Sequence, residues 1–60
     1  MDGDELLTAV DVAAILRVRP GTVDSLARRG DLPSIFLGDG RIRRFRRREV
    51  LDYIESKARQ

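Results

Sequence analysis

A mainly α domain of three helices with one small β-hairpin is what this 60-residue chain encodes, and three observations lead to that expectation. Apolar residues recur at helical spacing in three separate stretches. Pro20 and Gly30 bracket the middle stretch at the positions where helices start and stop. Between the second and third stretches, two extended runs flank Gly38-Asp39-Gly40, the composition of a hairpin turn. The whole chain, 1–60, reads as one domain, with residues 1–5 expected to be a flexible tail. A domain this short buries only about 60% of its unfolded chain's surface, so a small core is expected.

The first helix is expected from Ala9 to about Leu16. Thr8 followed by Asp11 gives the Thr-x-x-acid signature of a helix start, and Leu7 and Val12 stand where a hydrophobic staple would form. Val12, Ile15 and Leu16 should face inward. Arg17 to Arg19 form a turn, and Pro20 favours a new helix there, because its φ suits the first helical position. In that second helix Val23, Leu26 and Ala27 make one buried stripe, while Gly21, Ser25 and Arg28, with Asp24 at the edge, form a small polar outer face. A slim hydrogen-bonding face of this kind fits a nucleic-acid groove, and a bulky or apolar one does not.

Beyond the second helix, Ile35-Phe36-Leu37 and Arg41 to Phe45 are strand-like, and Ile35, Leu37, Ile42 and Phe45 need the helices to pack against, because an isolated hairpin is marginal in water. Ile42 and Phe45 are three apart, so either a bulge intervenes or the strand ends before Phe45. The third helix, from about Arg47 to Lys57, is expected to bury Val50, Leu51 and Ile54, with Tyr53 beside them. Its start puts Arg46, Arg47 and Arg48 where a helix dipole prefers anions, without a capping side chain. A bound phosphate would compensate for that.

The net charge of +2 hides a sharp division along the chain. Residues 1–16 carry four acids and no base, whereas residues 17–48 carry ten arginines against Asp24, Asp31 and Asp39, a balance of +7. Lys57 is the one lysine. Arginine's planar fork matches phosphates and guanine edges in two-point contacts, so the midsection suits a polyanion; a merely solvated charged surface is the alternative. With no cysteine and no histidine, zinc fingers are excluded, and no metal or cofactor site is expected. Neither a catalytic carboxylate pair nor a phosphate-cradling glycine loop is present, so an enzyme is not expected. No apolar stretch reaches the ~20 residues that span a bilayer, and the acidic start does not resemble a signal peptide, which points to a cytoplasmic protein.

Helix, tight turn, helix and hairpin together make a winged helix-turn-helix. That arrangement offers two probes to DNA: the second helix to the major groove, and the wing to the backbone or an adjacent minor groove. The predicted DNA-binding residues are Arg19, Thr22, Asp24, Ser25 and Arg28 on the second helix and its approach, and Arg41, Arg43, Arg44, Arg46 and Arg47 on the wing and beyond. Arg41 and Arg43, two apart, should share one wing face, while Arg44 and Arg46 suit phosphates. Thr22 has local capping as its alternative role.

From Leu6 to Ile54 the chain resembles the excisionase family of small MerR-like winged-helix proteins. The resemblance is carried by Leu6-Leu7-Thr8, Val18, Thr22-Val23, the run from Gly30 to Ile35, Gly40-Arg41, Arg44-Phe45-Arg46 and the closing aliphatic helix. It implies an architectural DNA-binding protein that binds as several copies along repeated sites, bends the DNA, and directs a phage or mobile-element integrase toward excision. The partners it implies are double-stranded DNA, neighbouring copies and an integrase. Two departures stand out. Where the family usually has Gly before Val18 and Ser after it, this chain has Arg17 and Arg19, so the turn lacks its easiest left-handed residue and the second helix lacks a cap. Pro20, Gly21 and Ser25 replace basic residues of the second helix, which shifts affinity toward the wing. A transcriptional regulator of the same fold, or a module whose basic face binds an acidic protein, are the competing readings.

Overall fold

The first helix begins where its capping residues put it. In the computed structural model, which describes residues 4–59, the Thr8 hydroxyl accepts from the Asp11 amide and the Asp11 carboxylate accepts from the Thr8 amide, each at 3.0 Å. This capping box opens α1 (Ala9–Leu16). The helix ends on Arg17 in the left-handed region, φ 59° and ψ 46°, and the Val18 amide donates to the Ala13 carbonyl at 3.0 Å. Arginine thus does what the expected glycine would do more cheaply, since a Cβ in that region costs about 1–2 kcal/mol.

A second helix, α2 (Pro20–Arg28), follows. Its end is a Schellman arrangement: Gly30 takes φ 82°, its amide donates to Ala27 and the Asp31 amide to Leu26. The reversal drops Leu32, only 1% exposed, into the core. The chain then forms β2 (Ile35–Leu37) and β3 (Ile42–Arg46) as an antiparallel hairpin, with Leu37 opposite Ile42 and Ile35 opposite Arg44. Finally α3 (Arg47–Ala58) closes the chain.

The sheet has one more strand than the two-stranded wing expected. β1 (Leu6–Leu7) pairs antiparallel with β3, Leu7 opposite Phe45, so the strand order is β1-β3-β2. Leu7 therefore serves as strand as well as lead-in to α1. The Arg47 amide extends that ladder by donating to the Glu5 carbonyl at 3.0 Å, so the inner end of the expected tail is held by main-chain bonding; residues 1–3 lie outside the described residues.

Directly opposed residues share a face, and β3 runs unbroken through Phe45 with no bulge. Ile42 and Phe45 accordingly point to opposite sides. Phe45, fully buried with Leu7, faces the helices, joined in the core by Val12, Ala13, Val23, Leu26, Leu32 and Val50. Several expected core residues are outside it. In α1, Ile15 is 37% exposed and Ala13 takes the inward place; in α3, Leu51 and Ile54 are exposed and Tyr53 is the residue that joins Val50 against the core. Of the four hairpin residues expected to pack, Leu37 and Ile42 are exposed and Ile35 half-buried. Phe45 anchors the hairpin for all of them. No helix of the described residues is long and apolar enough to cross a membrane.

Candidate nucleic-acid interface

Arg19 stands at the N-cap of α2 with extended backbone, φ −79° and ψ 149°, and without a side-chain cap bond; Pro20 at the first helical position has no N–H that needs one. No acid occupies this first turn. The positive end of the helix is therefore left electropositive, in contrast to α1, where Asp11 sits in the first turn.

Along the outer side of α2, Thr22, Asp24 and Arg28 are exposed and Ser25 is half-buried. Arg28 Nη2 reaches Ser25 Oγ at 3.4 Å, a long bond between two expected contact residues. The Thr22 hydroxyl has no hydrogen-bond partner among the described residues, so it is not a local cap. Instead Thr22 stands beside an open groove of about 510 Å³ floored by Leu16, Val18, Leu26 and the Tyr53–Ala58 end of α3. At the helix end Arg29 places Nε and Nη2 at 3.1 and 2.9 Å from Asp31 Oδ2.

The turn of the wing depends on Gly38 and Gly40, at φ 64° and 90°, with the Gly40 amide donating to the Leu37 carbonyl at 3.1 Å. Arg41 lies in this turn, before β3 begins, its side chain 85% exposed and its Nε 3.2 Å from Asp39 Oδ2. Arg43 lies elsewhere. It stands opposite Phe36 on the helix-facing side, its guanidinium carbon 4.7 Å from the ring centroid and its Nη1 buried without a hydrogen-bond partner. The expectation that Arg41 and Arg43 form a matched pair on one wing face is thus corrected: one is a projecting tip cation and the other is half-buried over an aromatic ring. Arg44 is on the opposite side, with Nη1 donating to the Arg43 carbonyl at 2.9 Å.

At the start of α3 the expected electrostatic conflict is relieved by the protein's own carboxylates. Arg47 Nε donates to Glu5 Oε1 at 2.9 Å, and Arg46 Nη1 is 3.8 Å from Glu49 Oε1. A bound phosphate is not required there. The Arg41–Asp39 and Arg47–Glu5 pairs are substantially exposed, where an ion pair contributes about 0–1 kcal/mol, so a phosphate can displace the carboxylate at small cost, whereas Glu49 Oε1 beside Arg46 is buried without a hydrogen-bond partner. Arg17, Arg19 and Arg48 have no ion-pair partner among the described residues, and Arg17 and Arg48 are cations that the sequence reading did not select. Phe36 was missed as well. It shares a face with Phe45 only through the register that the four-residue turn sets, with Phe36 opposite Arg43.

Residues 6–58 match the family model described as a helix-turn-helix domain. No curated protein matches the chain. The matched segment begins at β1 and runs to the last residue of α3, so it takes in both helices of the turn, the wing and its supporting helix.

Proposed function

We propose, for a chain that belongs to the helix-turn-helix domain family typical of excisionase-like small DNA-binding proteins, that it binds duplex DNA as an architectural factor and acts as an excisionase, directing a phage or mobile-element integrase toward excision. The observation that carries this reading is the outer face of α2. It is small and polar from Gly21 through Arg28, set on the buried Val23 and Leu26, and uncapped at its electropositive start. Such a helix fits a major groove.

In this reading Thr22, Asp24, Ser25 and Arg28 face base edges, with Asp24 accepting from a cytosine amino group and Arg28 donating to guanine or phosphate. Arg19, Arg41, Arg44, Arg46 and Arg47 contact phosphates, the paired ones exchanging a carboxylate for a phosphate oxygen. Arg43 is the wing residue nearest to groove recognition. A single 60-residue unit offers few base contacts, so useful specificity comes from several copies on adjacent sites. The acidic first segment of one copy and the arginine-rich midsection of the next attract head to tail, a contact that does not close on itself. No catalytic step belongs to this chain, and its place is with the DNA in the cytoplasm.

Footprinting on the protein's own genomic locus, combined with native gel shifts on the protected DNA, tests the proposal. Protection of repeated sites within an attachment sequence beside an integrase gene, with stepwise cooperative bands, is the expected result. Protection of a promoter operator with no recombinase nearby overturns the excision role in favour of transcriptional regulation. A single sharp 1:1 complex overturns the multi-copy assembly.

A further inference from the structure

We infer that the outer half of the wing is an apolar wedge, led by Phe36, that presses into the minor groove of duplex DNA and deforms it. The inference rests on the DNA-binding reading above and adds to it a contact of a different physical kind from the arginines.

Phe36 is 54% exposed, Ile42 45% and Leu37 37%, and none of them belongs to the buried core. Single exposed hydrophobics need no explanation; three at the outer end of one short ribbon, on both of its faces, form a patch. The core does not enclose it: Phe45 is the one fully buried side chain of the hairpin. A wing that only gripped phosphates would be polar throughout.

Charge identifies what covers the patch. Arg41, Arg43 and Arg44 are interleaved with these apolar residues, so a matching surface has anionic rows with apolar material between them. The minor groove meets that description, with the apolar faces of the sugars lining it between two lines of phosphates. A sheet with side chains on both faces is about 10 Å thick, and the minor groove of B-form DNA is about 6 Å wide. A ribbon with side chains on both faces therefore enters only if the groove widens, and an aromatic ring that reaches the base pairs opens a step.

Phe36 is also set in advance for this role. The Arg43 guanidinium lies 4.7 Å from its ring, and Arg43 Nη1 is enclosed without a hydrogen-bond partner. Each side chain restricts the other, so less rotamer freedom is lost on binding. An apolar contact displaces no counterions, which separates it experimentally from phosphate contacts.

The test uses the full chain and AT-rich and mixed-sequence duplexes of about 25 base pairs with 2-aminopurine at successive positions. Binding is followed by anisotropy across a salt series, and end-to-end energy transfer reports the bend. The parent protein is expected to brighten 2-aminopurine at a localised step and shorten the end-to-end distance. Phe36→Ala, which leaves the buried core intact, should bind about tenfold more weakly at every salt concentration with an unchanged slope, losing both signals, and Phe36→Leu should recover part of them. Arg41→Ala should lower the salt slope by about one and keep the bend. Parental binding and bending by Phe36→Ala, or a parent that binds without brightening any position, overturns the wedge while leaving DNA binding in place. A parent that leaves these duplexes unbound at low salt overturns both readings.

Discussion

The chain up to Leu32 and the chain after it place their apolar residues differently. The first part supplies Leu7, Val12, Ala13, Val23, Leu26 and Leu32 to the buried core while Leu6, Val10, Ile15 and Val18 stay exposed, whereas the second supplies only Phe45 and Val50 and leaves Phe36, Leu37, Ile42, Leu51 and Ile54 exposed. The helix pair is thus a scaffold that buries its own stripe, and the hairpin and α3 are each attached through a single fully buried side chain. An element fastened at one point keeps most of its surface for other uses. The arrangement suits a domain that has to carry probes on a core too small to enclose them.

That contrast makes its largest claim at Phe45. Phe45→Ala is expected to cost about 3–5 kcal/mol, against a total stability of about 3–9 kcal/mol for a domain of this size. The variant should therefore lose much or all of its stability and melt far below the parent by far-UV circular dichroism, and a melt like the parent's would show that the hairpin has other anchors. In the first part, Thr8→Ala removes one half of the capping box and should cost about 1 kcal/mol in urea denaturation with an unchanged m-value. Retained stability would mean that tertiary packing alone starts α1.

Arg17→Gly relieves a left-handed arginine and should raise stability by about 0.5–1 kcal/mol once glycine's greater unfolded-state freedom is allowed for. A loss in the same denaturation experiment would show that the arginine side chain stabilises the turn in some other way. At the small end, Ile42→Ala should shift stability by no more than about 0.5 kcal/mol, since the three carbons it removes lie on the exposed wing, outside the core. A cost of 2 kcal/mol or more would place Ile42 in the core and erase the difference between the two ends of β3.

Much of the scaffold was legible residue by residue. The Thr8 and Asp11 spacing located the start of α1, Pro20 the start of α2, and Gly30 its end, because each acts on backbone groups within a few positions of itself. The winged helix-turn-helix architecture and the resemblance to the excisionase family follow from such local signals in order, and the match over residues 6–58 agrees with them. The interface was less legible. Periodicity placed Arg41 and Arg43 together, yet the four-residue turn takes Arg41 out of the strand and register sets Arg43 over Phe36.

Local composition determined where helices begin and end, which residues share a face, and where positive charge concentrates. Tertiary structure alone decided how wide a strip of each face is covered. Leu51 and Ile54 lie near Val50 on α3, but their surroundings leave them in solvent while Val50 and Tyr53 pack inward. Tertiary structure also recruited Leu6–Leu7 into the sheet and brought Glu5 to Arg47, 42 residues away along the chain. The physical reason is range: capping, φ preference and helical spacing act within a turn or two, whereas burial and ion pairing depend on which distant segment the collapsed chain sets alongside.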